Sequence, residues 1–179
     1  PVVIDKEKTD KSAARIKRYY ASFGWFNTET SYKIDVDSSK KKRASVTYNV
    51  ERFRPYFVDS ISEDISSPIV DSIFQASKKN TFIESGKQYA ANDFLNERDR
   101  LTIQFRNSGL YHFDQDYVGF EGDTVNTNHK ANIKYIIPDR TIEIGDTTYT
   151  EPFKIFKVNE VRIVTDYNFS NRNEIFKDS

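Results

Sequence analysis

Hydrophobic and polar positions along this chain follow two different periods, and the period changes after a glycine. From Ala13 to Phe23 apolar side chains recur three and four positions apart, which predicts an amphipathic helix. Thr9 or Asp10 is expected to cap the start of this helix, and Gly24 stands where a left-handed helix stop is expected.

Strict alternation of apolar and polar residues follows the helix. Tyr32, Ile34 and Val36 alternate with polar residues, and after the polar run 38–43 the alternation returns between Ala44 and Val50. Alternation places the apolar side chains on one face of a strand. The first 51 residues are therefore predicted to form a helix and a two-stranded hairpin with one buried face.

The middle of the chain predicts a complete module. A first strand around 56–61, a helix from Pro68 to about Lys79 and a second helix from Asn92 to Gly109 are expected, followed by strands at 113–121 and 131–137. Ser66 and Ser67 before Pro68 favour a helix start. The expected core comprises Val58, Ile61, Ile73, Leu95, Leu101, Phe105, Ile133 and Tyr135. The fold class predicted by this order is α+β.

The chain contains parts of the same pattern twice. The segment 15–26 matches 100–111 at a shift of 85 residues, with an arginine, an aliphatic residue, an aromatic residue and a glycine in register. The segment 55–61 matches 152–158 at a shift of 97. Internal similarity at such a period predicts tandem modules rather than one enzyme domain.

The repeat divides the chain into three parts and predicts a piece of a longer protein. Residues 1–51 are expected to be the C-terminal part of a first module, 52–140 a complete module, and 141–179 a linker with the start of a further module. The joint that sets the angle between the first two modules is predicted at Arg52, Phe53, Arg54 and Pro55. The longer stretch 140–152 is expected to allow more freedom at the second joint.

Composition excludes several classes of function. Lysine plus arginine equals aspartate plus glutamate at 27 each, so no net field attracts nucleic acid, and no nucleic-acid partner is expected. The absence of cysteine removes thiol nucleophiles, thiolate metal sites and disulfides. No apolar run approaches the roughly 18 residues that cross a bilayer as a helix.

Candidate catalytic and metal-binding chemistry is sparse. His112 and His129 are the only histidines, and neither belongs to a two-histidine helix motif. The carboxylates between Asp114 and Asp123 do not have the spacing of a calcium loop. There is no glycine-rich phosphate loop and no nucleophile turn. The sequence therefore predicts no enzyme activity, no catalytic residue, no cofactor and no metal.

Five segments, in order, carry a resemblance to a known family. They are Pro1–Asp5, Gly24–Phe26, Pro55–Ile61, Glu97–Phe113 and Tyr117–Thr124. They resemble the motifs of POTRA domains in outer-membrane assembly factors of the BamA and TamA type, and most closely TamA-like lipoproteins of the TamL type. Trp25 and Leu110 depart from the usual aromatic residues of the family.

The resemblance implies a fold and a location. Each POTRA module has the order β-α-α-β-β, with a three-stranded mixed sheet covered on one face by two helices. The family also implies that the fragment lies on the periplasmic side of the outer membrane, in a parent protein that carries a C-terminal membrane β-barrel.

Two functions follow from the resemblance, and the sequence leaves both open. In the first, unfolded outer-membrane proteins add an extended strand to the open edge at 113–121, which suits many clients because main-chain hydrogen bonds do not depend on side-chain identity. Its predicted contacts are Phe113, Gln115, Tyr117, Val118 and Phe120. In the second, the modules are a structural spacer that links the barrel to a periplasmic partner such as a TamB-like protein. An apolar groove beside the edge favours the first function, and a fully charged edge favours the second.

Overall fold

The computed structural model describes residues 4–37, 43–161 and 163. Its helices are α1 (Lys6–Ala21), α2 (Pro68–Ser77) and α3 (Ala91–Asn107), and its strands are β1 (Glu29–Val36), β2 (Ala44–Glu51), β3 (Phe57–Ile65), β4 (Gly119–Asp123), β5 (Lys130–Ile137), β6 (Arg140–Ile144) and β7 (Thr147–Glu151). Short 3-10 helices cover Lys78–Asn80 and Gln115–Tyr117. The α+β class is therefore confirmed. No helix among the described residues has the length and apolar character needed to cross a membrane.

The N-terminal part consists of α1 packed on the antiparallel hairpin β1–β2. The predicted cap at Thr9 or Asp10 was wrong by about one turn. The Asp5 carboxylate accepts from the Glu7 backbone N–H at 2.9 Å and caps the helix. Thr9 is buried inside the helix, while Asp10 accepts from the Tyr32 hydroxyl at 2.7 Å and so ties α1 to the hairpin.

The middle module has the predicted order of strand, helix, helix, strand, strand. Its sheet has the strand order β3-β5-β4, with β3 parallel and β4 antiparallel to β5. Alternate residues of β5 are buried, from Ala131 to Ile137, because the central strand has one face under the helices. The helices supply the other half of the core, with Val70 and Phe74 from α2 and Leu101 and Phe105 from α3.

Most of the predicted core is confirmed, with one error. The buried members are Val58, Leu101, Phe105, Ile133 and Tyr135, while Ile61 and Ile73 are partly buried against them. Leu95 was placed wrongly, since its side chain is 56% exposed. Phe94 takes the inward position instead, with its ring 5.0 Å from Tyr89 and 5.2 Å from Phe120.

The strand expected at 113–121 begins only at Gly119, so its first six residues were predicted wrongly. Phe113 and Val118 are buried in the core, and a 3-10 turn lies between them. Asp114 caps this turn, and Arg106 donates to the Phe113 carbonyl at 2.7 Å and to the Asp114 carboxylate at 2.7 Å. The segment folds as a turn because these side-chain bonds satisfy its backbone locally.

A buried carboxylate joins α3 to the sheet and to the loop before it. Glu97 is 0% exposed, and it accepts from Arg100 at 2.7 and 2.9 Å, from the Phe82 N–H at 3.1 Å and from the Tyr135 hydroxyl at 3.2 Å. Burial by itself raises the pKa of the Glu97 carboxyl, but the hydrogen bonds from Arg100 and Phe82 outweigh it and leave the pKa below its usual range. Burial also raises the pKa of Tyr135, which stays a neutral donor.

The stretch expected to be a free linker is a hairpin with both ends attached. Strands β6 and β7 pair in antiparallel fashion, and Arg140 forms an ion pair with Glu151 at 3.3 Å. At its start the Thr141 N–H donates to the Tyr117 hydroxyl at 3.2 Å. The expectation of greater freedom here is therefore wrong, because the residues around the hairpin are bonded to the middle module.

Phe153, just after the hairpin, completes the core of the middle module. Its ring is 4% exposed and lies 5.0 Å from both Phe113 and Tyr117. Its N–H donates to the Ser67 hydroxyl at 2.9 Å, and that hydroxyl in turn donates to Asp139. Ser67 thus occupies the helix N-cap position, as predicted, but its side chain holds the end of the hairpin instead of capping α2.

Replacing Phe153 by alanine tests this packing. We expect Phe153→Ala to lower the free energy of unfolding of the middle module by about 3 kcal/mol, the cost of deleting a buried phenyl ring. Urea unfolding of the full chain measures the change. The control is Tyr149→Ala, in the same hairpin, whose side chain is 43% exposed. Equal losses in the two variants would contradict the burial of Phe153.

Glu97 predicts a dependence of stability on pH. Since its pKa is lowered on folding, the carboxylate stabilises the fold above its unfolded pKa of about 4.3, and this contribution is lost as pH falls through the folded pKa. Glu97→Gln should lower the free energy of unfolding at pH 7 by about 3 kcal/mol, because it leaves Arg100 without its partner. It should also flatten the pH dependence below about pH 4. The exposed carboxylate variant Glu84→Gln is the control, and an acid profile shared by both variants would argue against this role.

Candidate partner-binding edge

The two outer strands of the middle sheet, β3 and β4, differ in how they are covered. The start of β3 is bonded to the segment 86–89: the Val58 N–H donates to the Lys87 carbonyl at 2.8 Å, and the Gly86 N–H donates to the Val58 carbonyl at 2.7 Å. Phe57 and Gln88 form an antiparallel bridge. Here β3 already has a partner.

The rest of β3 carries an irregularity and charges. Its register against β5 shifts between Val58 and Ile61. Carboxylates of β3 form ion pairs within and after the shift, since Asp59 bonds to Lys130 at 2.9 Å and Glu63 bonds to Lys78. Bulges and charges are the devices by which natural sheets discourage added strands.

Strand β4 is the open edge of this sheet. It pairs with β5 on its inner side, from Gly119 opposite Ile136 to Asp123 opposite Asn132. No other strand in the described part of the chain pairs with its outer side. An outer strand presents a row of backbone N–H and C=O groups to which another chain can bond.

The structure separates the predicted contact residues. Phe113 and Val118 lie in the core, so they present no surface to a partner. Gln115 is exposed on the 3-10 turn, and Tyr117 is half-buried, where it accepts from Thr141 and contacts Phe153. Phe120 is the one member of the predicted set that lies on β4, and it is half-buried.

Helix α3 contacts β4 through an arginine. Arg98 donates to the Val118 carbonyl at 3.0 Å, just before the strand, and its guanidinium lies 5.9 Å from the centre of the Phe120 ring. Glu121 and Asp123 on the strand are exposed. The edge is therefore mixed in character: an aromatic ring beneath a cation at one end, and two carboxylates toward the other.

The four residues predicted as the joint lie between β2 and β3. Arg52 places its guanidinium 5.8 Å from the Tyr20 ring and 5.6 Å from the Trp25 ring, so it holds the end of the hairpin against α1. Phe53 has φ 59° and is 53% exposed. Arg54 and Pro55 line a cavity of about 570 Å³ that also reaches His129.

Sequence reasoning missed the groups that bond the first module to the second. Three successive carbonyls at the end of α1 accept from the middle module: Ser22 from the Ala91 N–H at 2.7 Å, Phe23 from the Gln88 amide at 2.7 Å, and Gly24 from the Tyr56 N–H at 2.9 Å. Gly24 was singled out as a helix stop, and its positive φ of 88° agrees with that prediction. Gln88 and Ala91 carry no local signal, because their partners are more than 60 residues away in the sequence.

Comparison with known proteins gives similarities of fold only. No protein-family profile and no curated protein matches the chain. Among solved structures, it is similar to Haemophilus influenzae BamA POTRA3-5 at 13% identity and a TM-score of 0.45, covering 72% of this chain and 49% of that one. It is also similar to Haemophilus ducreyi BamA lacking POTRA domains 1-3, at 16% identity and a TM-score of 0.48, covering 78% of this chain and 24% of that one.

The contact between Arg98 and the start of β4 predicts a local effect. Arg98→Ala should remove the hydrogen bond to Val118, lower the free energy of unfolding by about 1 kcal/mol and speed hydrogen exchange in β4 more than in β5. Amide exchange followed by NMR measures both strands. Arg15→Ala, an exposed arginine on α1, is the matched control. Unchanged β4 protection in Arg98→Ala would show that the strand does not depend on this arginine.

Proposed function

We propose that this chain is a tandem of POTRA modules on the periplasmic side of the outer membrane, in a protein assembly and translocation factor. Unfolded outer-membrane proteins are its clients, and they bind as an added strand along β4. The observation that carries the proposal is the open outer side of β4 in a sheet whose opposite edge is covered and charged. The order of the family-like motifs and the β-α-α-β-β module support it.

Main-chain bonds alone give such an edge little affinity. Strand β4 has five residues, so a client gains only a few hydrogen bonds, each worth about 0.5–1.5 kcal/mol net. Ordering the client backbone costs about 1–2 kcal/mol per residue, which offsets that gain. Side-chain contacts must therefore supply the surplus, and Phe120 with Arg98 above it is the part of this edge suited to an apolar client residue. Binding of this kind is weak and reversible, as transient holding of a client requires.

A spacer is the second candidate, and the charges on β4 favour it. Glu121 and Asp123 are exposed on the same short strand, and exposed charge on an edge discourages strand addition. In this alternative the modules link a membrane barrel to a periplasmic partner such as a TamB-like protein, and β4 binds no client.

We also propose that the chain is not an enzyme. Among the described residues the one fully buried carboxylate is that of Glu97, and it is engaged by Arg100, Phe82 and Tyr135 of the chain itself. No group of three metal-ligating side chains occurs within the ranges that the structure describes. These features favour a binding or scaffolding role.

Two proline variants on β4 test the strand-addition proposal. In an antiparallel pair, the N–H groups of successive residues point alternately toward and away from the partner strand. Of Glu121→Pro and Gly122→Pro, one therefore loses a bond to β5, and the other loses only an outward donor and stays folded. We expect the folded variant to bind barrel-strand peptides at least about tenfold more weakly than the unsubstituted chain, a loss of about 1.4 kcal/mol. Fluorescence anisotropy of labelled peptides measures the affinity, and circular dichroism identifies the folded variant.

Thr148→Pro on the exposed hairpin strand β7 is the control, because it alters an edge that the proposal does not use. The proposal fails if the unsubstituted chain binds no such peptide, or if the folded β4 variant keeps full affinity. Either result leaves the spacer as the better account.

A further inference from the structure

Two helices of this chain end in a glycine whose carbonyl holds a later segment of chain. Gly24, after α1, has φ 88°, and its carbonyl accepts from the Tyr56 N–H at 2.9 Å. Gly109, after α3, has φ 92°, and its carbonyl accepts from the Phe156 N–H at 2.8 Å. The same backbone bond is made twice, at positions that the 85-residue repeat equates.

Neither glycine has room for a side chain on the side where the later segment docks. A Cβ on Gly24 would lie 3.0 Å from the Tyr56 carbonyl oxygen and 3.1 Å from that of Tyr89. A Cβ on Gly109 would lie 2.9 Å from the Phe156 carbonyl oxygen. The docked backbone would have to move by a few tenths of an ångström at Gly24, and it must shift at Gly109, so these glycines serve close approach as well as positive φ.

Two other glycines with positive φ show that the crowding is not general. Gly86 has φ 83° and Gly145 has φ 59°, and a Cβ on either would meet nothing within 4 Å. Alanine at either position would be destabilising only through the positive φ, because its Cβ would clash with nothing. The crowding at Gly24 and Gly109 is therefore specific to the two glycines on which a later segment of the chain packs.

Aromatic contacts repeat beside the two glycines. Phe26, two residues after Gly24, places its ring 5.1 Å from that of Tyr56. Tyr111, two residues after Gly109, places its ring 6.3 Å from that of Phe156. In both cases the aromatic residue that donates its N–H to the glycine also packs against the aromatic residue that follows the helix.

The shared bond equates different residues from those that the sequence match equates. Equating Tyr56 with Phe156 gives a shift of 100 residues, at which Val58 matches Val158 and Ile61 matches Val161. The shift of 97 expected from the sequence equated Tyr56 with Phe153, which instead belongs to the core of the middle module. Val58 is buried in a sheet, whereas Val158 is 81% exposed and Val161 is 75% exposed. Residues 152–161 form no strand in the structure, so these two side chains have no sheet to pack on among the described residues.

We propose that the glycine-ended helix is a docking surface that fixes the orientation of each module on the one before it. Its partner is the following module of the same chain, which docks by the N–H of the aromatic residue at the start of its first strand. Phe156 therefore begins a further module that sits on Gly109 as the middle module sits on Gly24. Successive modules therefore have a fixed relative orientation and are not joined by a free hinge. This proposal does not depend on strand binding at β4.

The first joint shows how one such surface is completed. Besides the Gly24 bond, the Ser22 carbonyl accepts from Ala91, the first residue of α3, and the Phe23 carbonyl accepts from Gln88. The C-terminal end of α1 thus meets the N-terminal end of α3. The last carbonyls of α1 have no partner inside their own helix, and the partial negative charge of this end is attracted to the partial positive charge at the start of α3.

Distances between spin labels test the first joint in the full chain. The chain has no cysteine, so Thr47→Cys in the first module and Ser72→Cys in the second place one exposed label in each. We expect pulsed electron paramagnetic resonance to give one narrow distance. Gly24→Ala should broaden and displace it, because the added Cβ presses on the carbonyl oxygens of Tyr56 and Tyr89 and weakens the docking contact. Gly145→Ala, which has φ strain alone and lies away from this joint, is the control and should leave the distance narrow.

The second joint has its own pair of variants. With labels at Ser72→Cys and Lys157→Cys, Gly109→Ala should broaden the distance, and Gly145→Ala should not. If circular dichroism shows that a glycine variant is unfolded, Gln88→Leu in the first label pair removes one bond of the joint without adding backbone strain, and it must broaden the distance.

A broad distance in the unsubstituted chain would overturn the proposal. So would equal broadening by Gly24→Ala and Gly145→Ala, or a narrow distance in folded Gly24→Ala. Peptide affinity at β4, measured on the same proteins, is a separate readout. A broad distance in a chain that binds peptide counts against the docking proposal alone. A narrow distance in a chain that binds no peptide counts against strand addition alone.

Discussion

The architecture depends on one constraint at the end of α1. There the backbone must adopt a positive φ at a residue that has no side chain. Gly24 meets that need: it ends α1 and admits the Tyr56 backbone to hydrogen-bond distance. The same residue therefore ends the helix and accepts the hydrogen bond from the middle module. A side chain there would oppose both, first through the φ angle and then through contact with the next strand.

The joint and the open edge use opposite sides of the middle sheet. Tyr56 and the segment 86–89, which bond to the end of α1 and cover the start of β3, lie on one side. Strand β4 lies across β5 on the other side. Docking of the first module therefore leaves β4 uncovered, and a module can be held in an array while its edge remains available. This arrangement is compatible with both client binding and a spacer role.

Inside the module, polar and aromatic contacts do the positioning that apolar burial leaves open. Apolar packing is not directional, so burial of one face of β5 under α2 and α3 does not by itself fix the orientation of the helices. Glu97 removes that freedom, because its bonds to Phe82 and Tyr135 fix α3 to a loop and to the central strand at once. Phe153 does the same for the hairpin β6–β7, which it fastens to the core.

Elements with a local cause can be predicted from the sequence alone. The periods of apolar residues around α1 and β5 reflect one buried face, and Gly24 and Gly109 mark helix ends because few other residues adopt positive φ. The remaining features depend on contacts between segments that are distant in the chain. Phe113 and Val118 resemble strand residues in sequence but are buried beside a capped turn, and Phe153 fits a repeat in sequence but completes the preceding core. The bonds from Gln88 and Ala91 to α1 join residues far apart in the chain, so only the folded backbone brings those donors and acceptors together.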